Sequence, residues 1–326
     1  MSFSHIYGHE QKIKILKSTL AQKRMAHAYL FSGMEAIGKR TLAIELVKAI
    51  NCDRADDLHD ACDECASCRK IAKGSHPDVY PVHAEGQYIR IDAVRQMQER
   101  TRCKPLEAKK RAFIIDDADR MNEASANALL KMLEEPSAVN ILILVTARPA
   151  SLPQTILSRC QQMRFNPLSA ETVARFLRTK MNLDEQRAGL LAALSGGSIG
   201  NALELNNEDI IAYRTELLDL LSRTDRNNPF SLIDLASFLG SKKKEIGHGL
   251  HMMNSFFRDM LIVKEVGGNK MLINRDYDAL IAACAERLSG EQILHNIEQI
   301  EKAGAIIEQN VNKSLTLEAM AFKLNY

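Results

Sequence analysis

The stretch from Ala28 to Lys39 constrains this chain most. Ala28-Tyr29-Leu30-Phe31-Ser32 is an apolar run of strand length, and it passes straight into Gly33-Met34-Glu35-Ala36-Ile37-Gly38-Lys39. Leu42, Leu46 and Ile50 then repeat at helical spacing. Strand, glycine loop and helix in that order form a phosphate-binding loop. The glycines let backbone N–H groups face a phosphate, the helix N-terminus adds positive potential, and Lys39 reaches the β/γ-phosphates. After the lysine the pattern asks for Ser or Thr, whose hydroxyl binds Mg²⁺. Here Arg40 stands there, and the hydroxyl comes one residue later, at Thr41. One step along a helix turns a side chain by about 100°, so Thr41 is not a simple replacement. The pattern predicts the phosphate-loop fold but argues against productive Mg²⁺-ATP chemistry.

The rest of the first half follows the same alternation. Val79–Val82, Ala112–Ile115 and Ile141–Thr146 read as strands, and Ile91–Arg102 and Ala124–Glu135 as helices, the second stopped by Pro136. Buried strands alternating with helices imply a mostly parallel sheet covered on both faces. Asp116 and Asp117 close one strand. Asp116 stands where a Mg²⁺-binding aspartate sits in such folds, and Asp117 is one methylene shorter than the glutamate usual at the next position. From Pro167 onward the strand patterns stop. Ala170–Thr179 and Asp184–Leu194 read as short helices, followed by the turn Ser195-Gly196-Gly197-Ser198 and a helix opening near Gly200. After about Asn207 the pattern is helical to the end. The stripes Leu250, Met253, Phe257, Met260 and Ile293, Ile297, Ile300, Ile307 read as helical core.

Composition narrows the classes of function. With 46% hydrophobic and 26% charged residues, the chain has enough apolar material to fold. Its 43 basic and 41 acidic residues exclude a strongly basic nucleic-acid coat. Neither a membrane-length apolar run of about 18–20 residues nor a secretion signal is visible, which makes the cytoplasm the expected location. There the seven cysteines need a role other than disulfides. Cys52-x9-Cys62-x2-Cys65-x2-Cys68 supplies four thiolates in one short segment, the donor set of a closed, structural Zn²⁺ site. His59 and His76 are substitute ligands within reach in sequence; Cys103, Cys160 and Cys284 read as ordinary thiols. His83-Ala84-Glu85 with Cys62-x2-Cys65 superficially matches a zinc deaminase. The order is reversed, however, and four sulfurs leave no coordination position for a water. Lys104, Lys109, Lys110 and Arg111 form a basic run, read as a solvated loop.

Two further segments give a more specific picture. Ser125-Ala126-Asn127-Ala128-Leu129-Leu130-Lys131-Met132-Leu133-Glu134-Glu135-Pro136 resembles the helix after the acidic strand in clamp-loader ATPase subunits. Leu152-Pro153-x-Thr155-Ile156-Leu157-Ser158-Arg159-Cys160 resembles their Ser-Arg-Cys motif, and the cysteine insertion is similar to that of the bacterial DNA polymerase III clamp loader. The resemblance runs from about Phe3 to Leu205 and continues more weakly through the tail. It implies a RecA-like AAA+ α/β P-loop domain over 1–166 with an inserted zinc module at about 52–68. A small helical lid over 167–206 and an all-helical collar for oligomerisation over 207–326 would follow.

The resemblance also implies a role. The chain would be a component of the DNA polymerase holoenzyme, joining gamma/tau and delta subunits in a hetero-pentamer. That ring opens the sliding clamp and meets primer-template DNA through phosphate contacts. The implied nucleotide positions, for ATP or ADP, are Gly33, Gly38, Lys39, Thr41, Asp116 and the strand-end sensor Thr146. Arg159 is implied to act in trans, reaching the ATP of the adjacent motor subunit as an arginine finger. Motor subunits of this family carry Gly-Lys-Thr/Ser, Asp-Glu and a lid arginine after a Gly-Ser turn; this chain has Arg40, Asp117 and Gly200 at those places. The departures imply a stator-like subunit with little or no ATPase of its own. An active gamma/tau-like ATPase that tolerates Arg40 is the alternative, and it predicts turnover by the isolated chain. A zinc-dependent hydrolase or deaminase is a further one, and it predicts a labile, catalytically required metal.

Overall fold

Five segments, four of them apolar, pair in parallel to form the sheet on which the loops are mounted. The structure, a computed structural model, describes residues 2–54, 59–241, 246–267, 271–308 and 311–326; residues 55–58 of the expected zinc module lie outside these. The elements of the first part run α1 (Glu10–Ala21), β1 (Ala28–Ser32), α2 (Lys39–Asn51), α3 (Ala66–Ala72), β2 (Val79–Val82), α4 (Ile91–Thr101), β3 (Arg111–Ile115), α5 (Glu123–Glu134), β4 (Asn140–Thr146), α6 (Gln154–Leu157), β5 (Gln161–Arg164) and α7 (Ala170–Met181). The strand order is β2-β3-β4-β1-β5, and the pairings are parallel. Every residue of β1, β3 and β4 is buried, as expected for strands covered on both faces.

Alternation along β1 divides the core. Tyr29 and Phe31 face a layer that includes Leu16, Leu42, Leu46 and Phe165. Ala28 and Leu30 face a second layer with Phe113, Leu129, Leu144 and Ile156. The period of two in a pleated strand produces both layers from one sequence.

The strands expected at Ala28–Ser32, Val79–Val82, Ala112–Ile115 and Ile141–Thr146 are present, two of them one residue longer at the start. β5 was not expected. Its sequence, Gln161-Gln162-Met163-Arg164, buries only Met163, and it lies at the sheet edge beside β1.

The chain divides into two compact units, 1–176 with 197–200, and 177–196 with 201–326. The second unit is helical. After the end of α7 it contains α8 (Glu185–Leu194), most of α9 (Ile199–Leu205), α10 (Glu208–Arg223), α11 (Pro229–Ser241), α12 (Ile246–Glu265), α13 (Asp278–Arg287), α14 (Gly290–Glu308) and α15 (Lys313–Ala321). α12 is its central helix, with Leu250, Met253, Phe257 and Met260 all buried. Asp259 of α12 is fully buried and accepts N–H bonds from Ile273 at 3.0 Å and Asn274 at 2.7 Å. Buried Arg214 grips Asp276 with both Nη atoms, at 2.6 and 2.8 Å. Together these pin the 272–276 segment. Among the described residues no helix is long and apolar enough to cross a membrane.

Candidate functional site

Three loops leave the C-terminal edge of the sheet side by side. β1 ends at Ser32, paired with Thr146 at the end of β4, and β3 ends at Ile115, paired with Leu144 of β4. This edge is where open α/β sheets bind their ligands. Gly33 leaves β1 at φ +150°, and a Cβ there would lie 2.4 Å from the Phe165 carbonyl oxygen, so only glycine fits. Gly38 caps α2 in the left-handed region, at φ +98°.

The loop between them is held by protein donors. Lys39 is buried, and its Nζ donates to the carbonyls of Gly33 at 2.6 Å and Met34 at 2.5 Å. Burial pushes its ammonium pKa down, against the pull of Glu35, Asp116, Asp117 and Asp119. The Ser198 hydroxyl donates to the carbonyls of Glu35 at 3.2 Å and Ala36 at 3.1 Å, and the Gly200 N–H donates to Ala36 O at 3.0 Å. His9 Nε2 lies 2.9 Å from Ile37 O. Each carbonyl from Gly33 to Ile37 thus has a donor. Ala36 is left-handed at φ +56°, and a Cβ at Gly200 would lie 2.4 Å from the Ala36 Cβ. The place where the resemblance expects a lid arginine is therefore packed against the loop.

The acidic strand end is also occupied. Arg40 Nε lies 3.5 Å from Asp116 Oδ2, and His83 Nδ1 lies 3.9 Å from the same oxygen. Arg40 Nη2 and His83 Nε2 are 3.4 Å apart. Two basic side chains thus surround the carboxylate that an Mg²⁺-dependent site would turn toward its metal. The Thr146 hydroxyl donates to Asp119 and accepts the Arg148 N–H at 2.9 Å. Gly33, Gly38, Lys39, Asp116 and Thr146 therefore share one sheet edge as expected, whereas Thr41 is exposed on α2.

Arg159 follows α6. Its side chain is 37% exposed, with Nη2 2.9 Å from Glu134 Oε1 and Nη1 donating to Thr155 O at 3.0 Å. Ser158 Oγ donates to the same Thr155 carbonyl at 3.2 Å. Cys160 is buried, and desolvation pushes its thiol up to about 12, which makes it inert.

The four clustered cysteines converge. Their sulfurs all lie within 4.8 Å of one another. A tetrahedral ion with bonds of about 2.3 Å needs sulfurs about 3.8 Å apart, within a small side-chain adjustment. Backbone N–H groups of Cys62, Cys65 and Cys68 donate to the sulfurs of Cys52, Cys62 and Cys65 at 3.4, 3.3 and 3.4 Å. Such donors favour thiolates. The four cysteines could therefore hold a metal ion; neither His59 nor His76 joins them. Lys48, fully buried in α2, binds Glu45 at 2.8 Å and also Asp63 of the cysteine loop. Lys17 pairs with Asp60 at 3.0 Å, and Lys109 donates to the Cys52 carbonyl. The basic run is therefore partly structural. Arg111 is buried, donates to the carbonyls of Cys103 and Lys104 at 2.8 Å, and lies 3.5 Å from Asp78.

The family model described as DNA polymerase III, delta subunit, matches residues 8–169, and the corresponding C-terminal model matches 208–325. The gamma subunit of DNA polymerase III from Buchnera aphidicola subsp. Acyrthosiphon pisum is 30% identical over 269 residues, 75% of this chain and 74% of that protein. The chain belongs to the clamp-loader family of DNA polymerase III subunits. Among its clamp-loader relatives, the Bacillus subtilis delta' subunit is 29% identical over 316 residues, 96% of this chain and 94% of that one. The Bacillus subtilis tau subunit is 27% identical and matches 92% of this chain, which spans 57% of tau.

Several residues of this clamp-loader subunit escaped the sequence reading. His9 and Asp119 act on the loop and on Thr146 from separate segments, with no local pattern to mark them. Lys48 did carry a signal: it is a charge on the inward face of an apolar helix, which demands a buried partner.

Proposed function

We propose that this chain is a stator-like clamp-loader subunit that resembles delta' in role, with little or no ATPase of its own. The observation that carries the reading is the Arg40 guanidinium beside Asp116, where a motor subunit would hold Mg²⁺. Three further features support it: Lys39 is folded onto its own loop, Thr146 is spent on Asp119, and Gly200 stands after the Gly-Ser turn where motor subunits carry their arginine. The proposed degenerate nucleotide site consists of Gly33, Gly38, Lys39, Asp116 and Thr146, with Thr41 set aside on the solvent side of α2.

Arg159 is the proposed catalytic contribution. A guanidinium stays charged and binds phosphoryl oxygens with two donors, so one supplied to a neighbour's ATP stabilises charge on the transferring group. The neighbours would be gamma/tau subunits in a pentamer that includes delta, and the loaded substrates the sliding clamp and primer-template DNA, met at its phosphates. The division of labour is that of a P-loop domain (1–166), a lid (167–206) and a collar (207–326). Cys52, Cys62, Cys65 and Cys68 would hold a structural Zn²⁺, which closes the cysteine loop and takes no part in hydrolysis.

Steady-state Mg²⁺-ATP hydrolysis by the isolated chain, with Lys39→Ala as control, tests the first half. Turnover that the control abolishes would make this an active ATPase subunit. Arg159→Ala in the reconstituted complex tests the second. Assembly should be retained and DNA-stimulated hydrolysis should fall by about tenfold or more at the adjoining site, a modest part of the 10³–10⁵ that arginine fingers supply in GTPases.

A further inference from the structure

We propose that Glu134 is a positioning residue for Arg159, a resting partner that holds the finger back until a neighbour's nucleotide displaces it. The inference rests on Arg159 acting in trans. The guanidinium is already engaged at both ends, by Glu134 Oε1 at 2.9 Å and by the Thr155 carbonyl at 3.0 Å. The arginine is thus held in one direction before any neighbour is present.

The strength of the pair suits a latch. Glu134 and Arg159 are 49% and 37% exposed, so water screens them and the pair is weak. A single carboxylate loses to a polyphosphate, whose several anionic oxygens accept both guanidinium donors. Glu134 is also a poor choice for its helix. It is the last residue of α5, followed by Glu135, so two carboxylates sit at the negative end of the helix dipole. Helix stability favours a cation there, and pairing with Arg159 supplies a reason for the carboxylate at 134.

The test is Glu134→Gln in the reconstituted complex, with hydrolysis measured without and with primer-template DNA. Loss of the latch is expected to raise the DNA-independent rate about two- to fivefold, the range an exposed ion pair spans, and to lower the DNA stimulation ratio by the same factor. High salt should raise the wild-type basal rate in the same way and leave E134Q little changed. The double variant E134Q/R159A should behave as R159A. A purely structural role for Glu134 would lower both rates together. An unchanged ratio in E134Q, with R159A still slow, overturns the latch and leaves the finger standing. An R159A complex with normal rates removes the finger, and the latch with it.

Discussion

Substituting Gly200 by alanine tests how tightly the turn at 197–200 is closed on the phosphate loop. The added Cβ would stand 2.4 Å from the Ala36 Cβ and 3.2 Å from its carbonyl oxygen. Carbon atoms rest at about 3.5–4.0 Å, so the pair must separate by an ångström or more. Neither atom is the tip of a flexible side chain, and Ala36 is tied down by the Ser198 hydroxyl and by the Gly200 N–H itself. Overpacking of this kind costs about 1–3 kcal/mol. Stretching the Gly200–Ala36 hydrogen bond adds about 0.5–1.5 kcal/mol. Against these stands a gain of about 0.5–1 kcal/mol from replacing glycine within a helix. The clash wins, and Gly200→Ala should destabilise by about 1–3 kcal/mol. At about 2–4 °C per kcal/mol, the melting temperature falls by roughly 2–12 °C.

Ala36→Gly removes the atom that is struck. Alone it should be nearly neutral: relief of a left-handed alanine is offset by about 0.4–1 kcal/mol of added unfolded-state freedom. In the double variant most of the Gly200→Ala loss should return. Thermal and urea unfolding of the four proteins completes the cycle. Gly200→Ala with unchanged stability, or an equal loss in the Ala36→Gly background, would refute the close packing of turn on loop.

Two more predictions concern the anchors. Protein purified without chelator should carry one Zn²⁺ per chain, and Cys65→Ala should lose both the metal and stability; elemental analysis finding no zinc in the parent protein would end that assignment. Asp78 is fully buried, which by itself raises its carboxyl, but N–H groups of Glu107, Ala108 and Leu106, with Arg111, hold it below the ordinary aspartate value. Because the folded value lies below the unfolded one of about 3.9, its stabilisation is present above that pH and is lost as pH falls through the folded value. Asp78→Asn should therefore cost about 1–3 kcal/mol at pH 7 and flatten the stability curve below about pH 4. Parallel curves for the two proteins would contradict this.

The parts of the fold that were legible are those whose burial is written in continuous residues. β1, β3 and β4 are apolar runs covered on both faces, and their burial leaves few other conformations open to them. β5 was invisible because an edge strand with one inward residue needs no apolar run. The helix α1 carries little sequence signal for a similar reason: only Leu16 of its residues is fully buried. At the site, the glycine loop, Asp116 and Thr146 were legible because a strand, a turn and a helix encode them locally. The donors that fix the loop, His9, Ser198 and Gly200, come from distant segments. Arg40 was legible as a departure, but its contact with Asp116 depends on β1 and β3 flanking β4.

The helix α2 ties two of these regions into one mechanical part. It is 13 residues long, about 20 Å, with the loop lysine as its first residue and Cys52 directly after its last. Between them, Lys48 reaches from its buried face to Asp63 in the cysteine loop. The cysteine segment looks detachable when written as a string, yet its last cysteine already lies inside α3. In space, excising 52–68 would take Asp63 from the buried Lys48, leaving Glu45 as its carboxylate partner, and would unseat the far end of the rod whose near end shapes the phosphate loop. Deleting the cysteine loop would therefore disturb the middle of α2 as well, at Lys48.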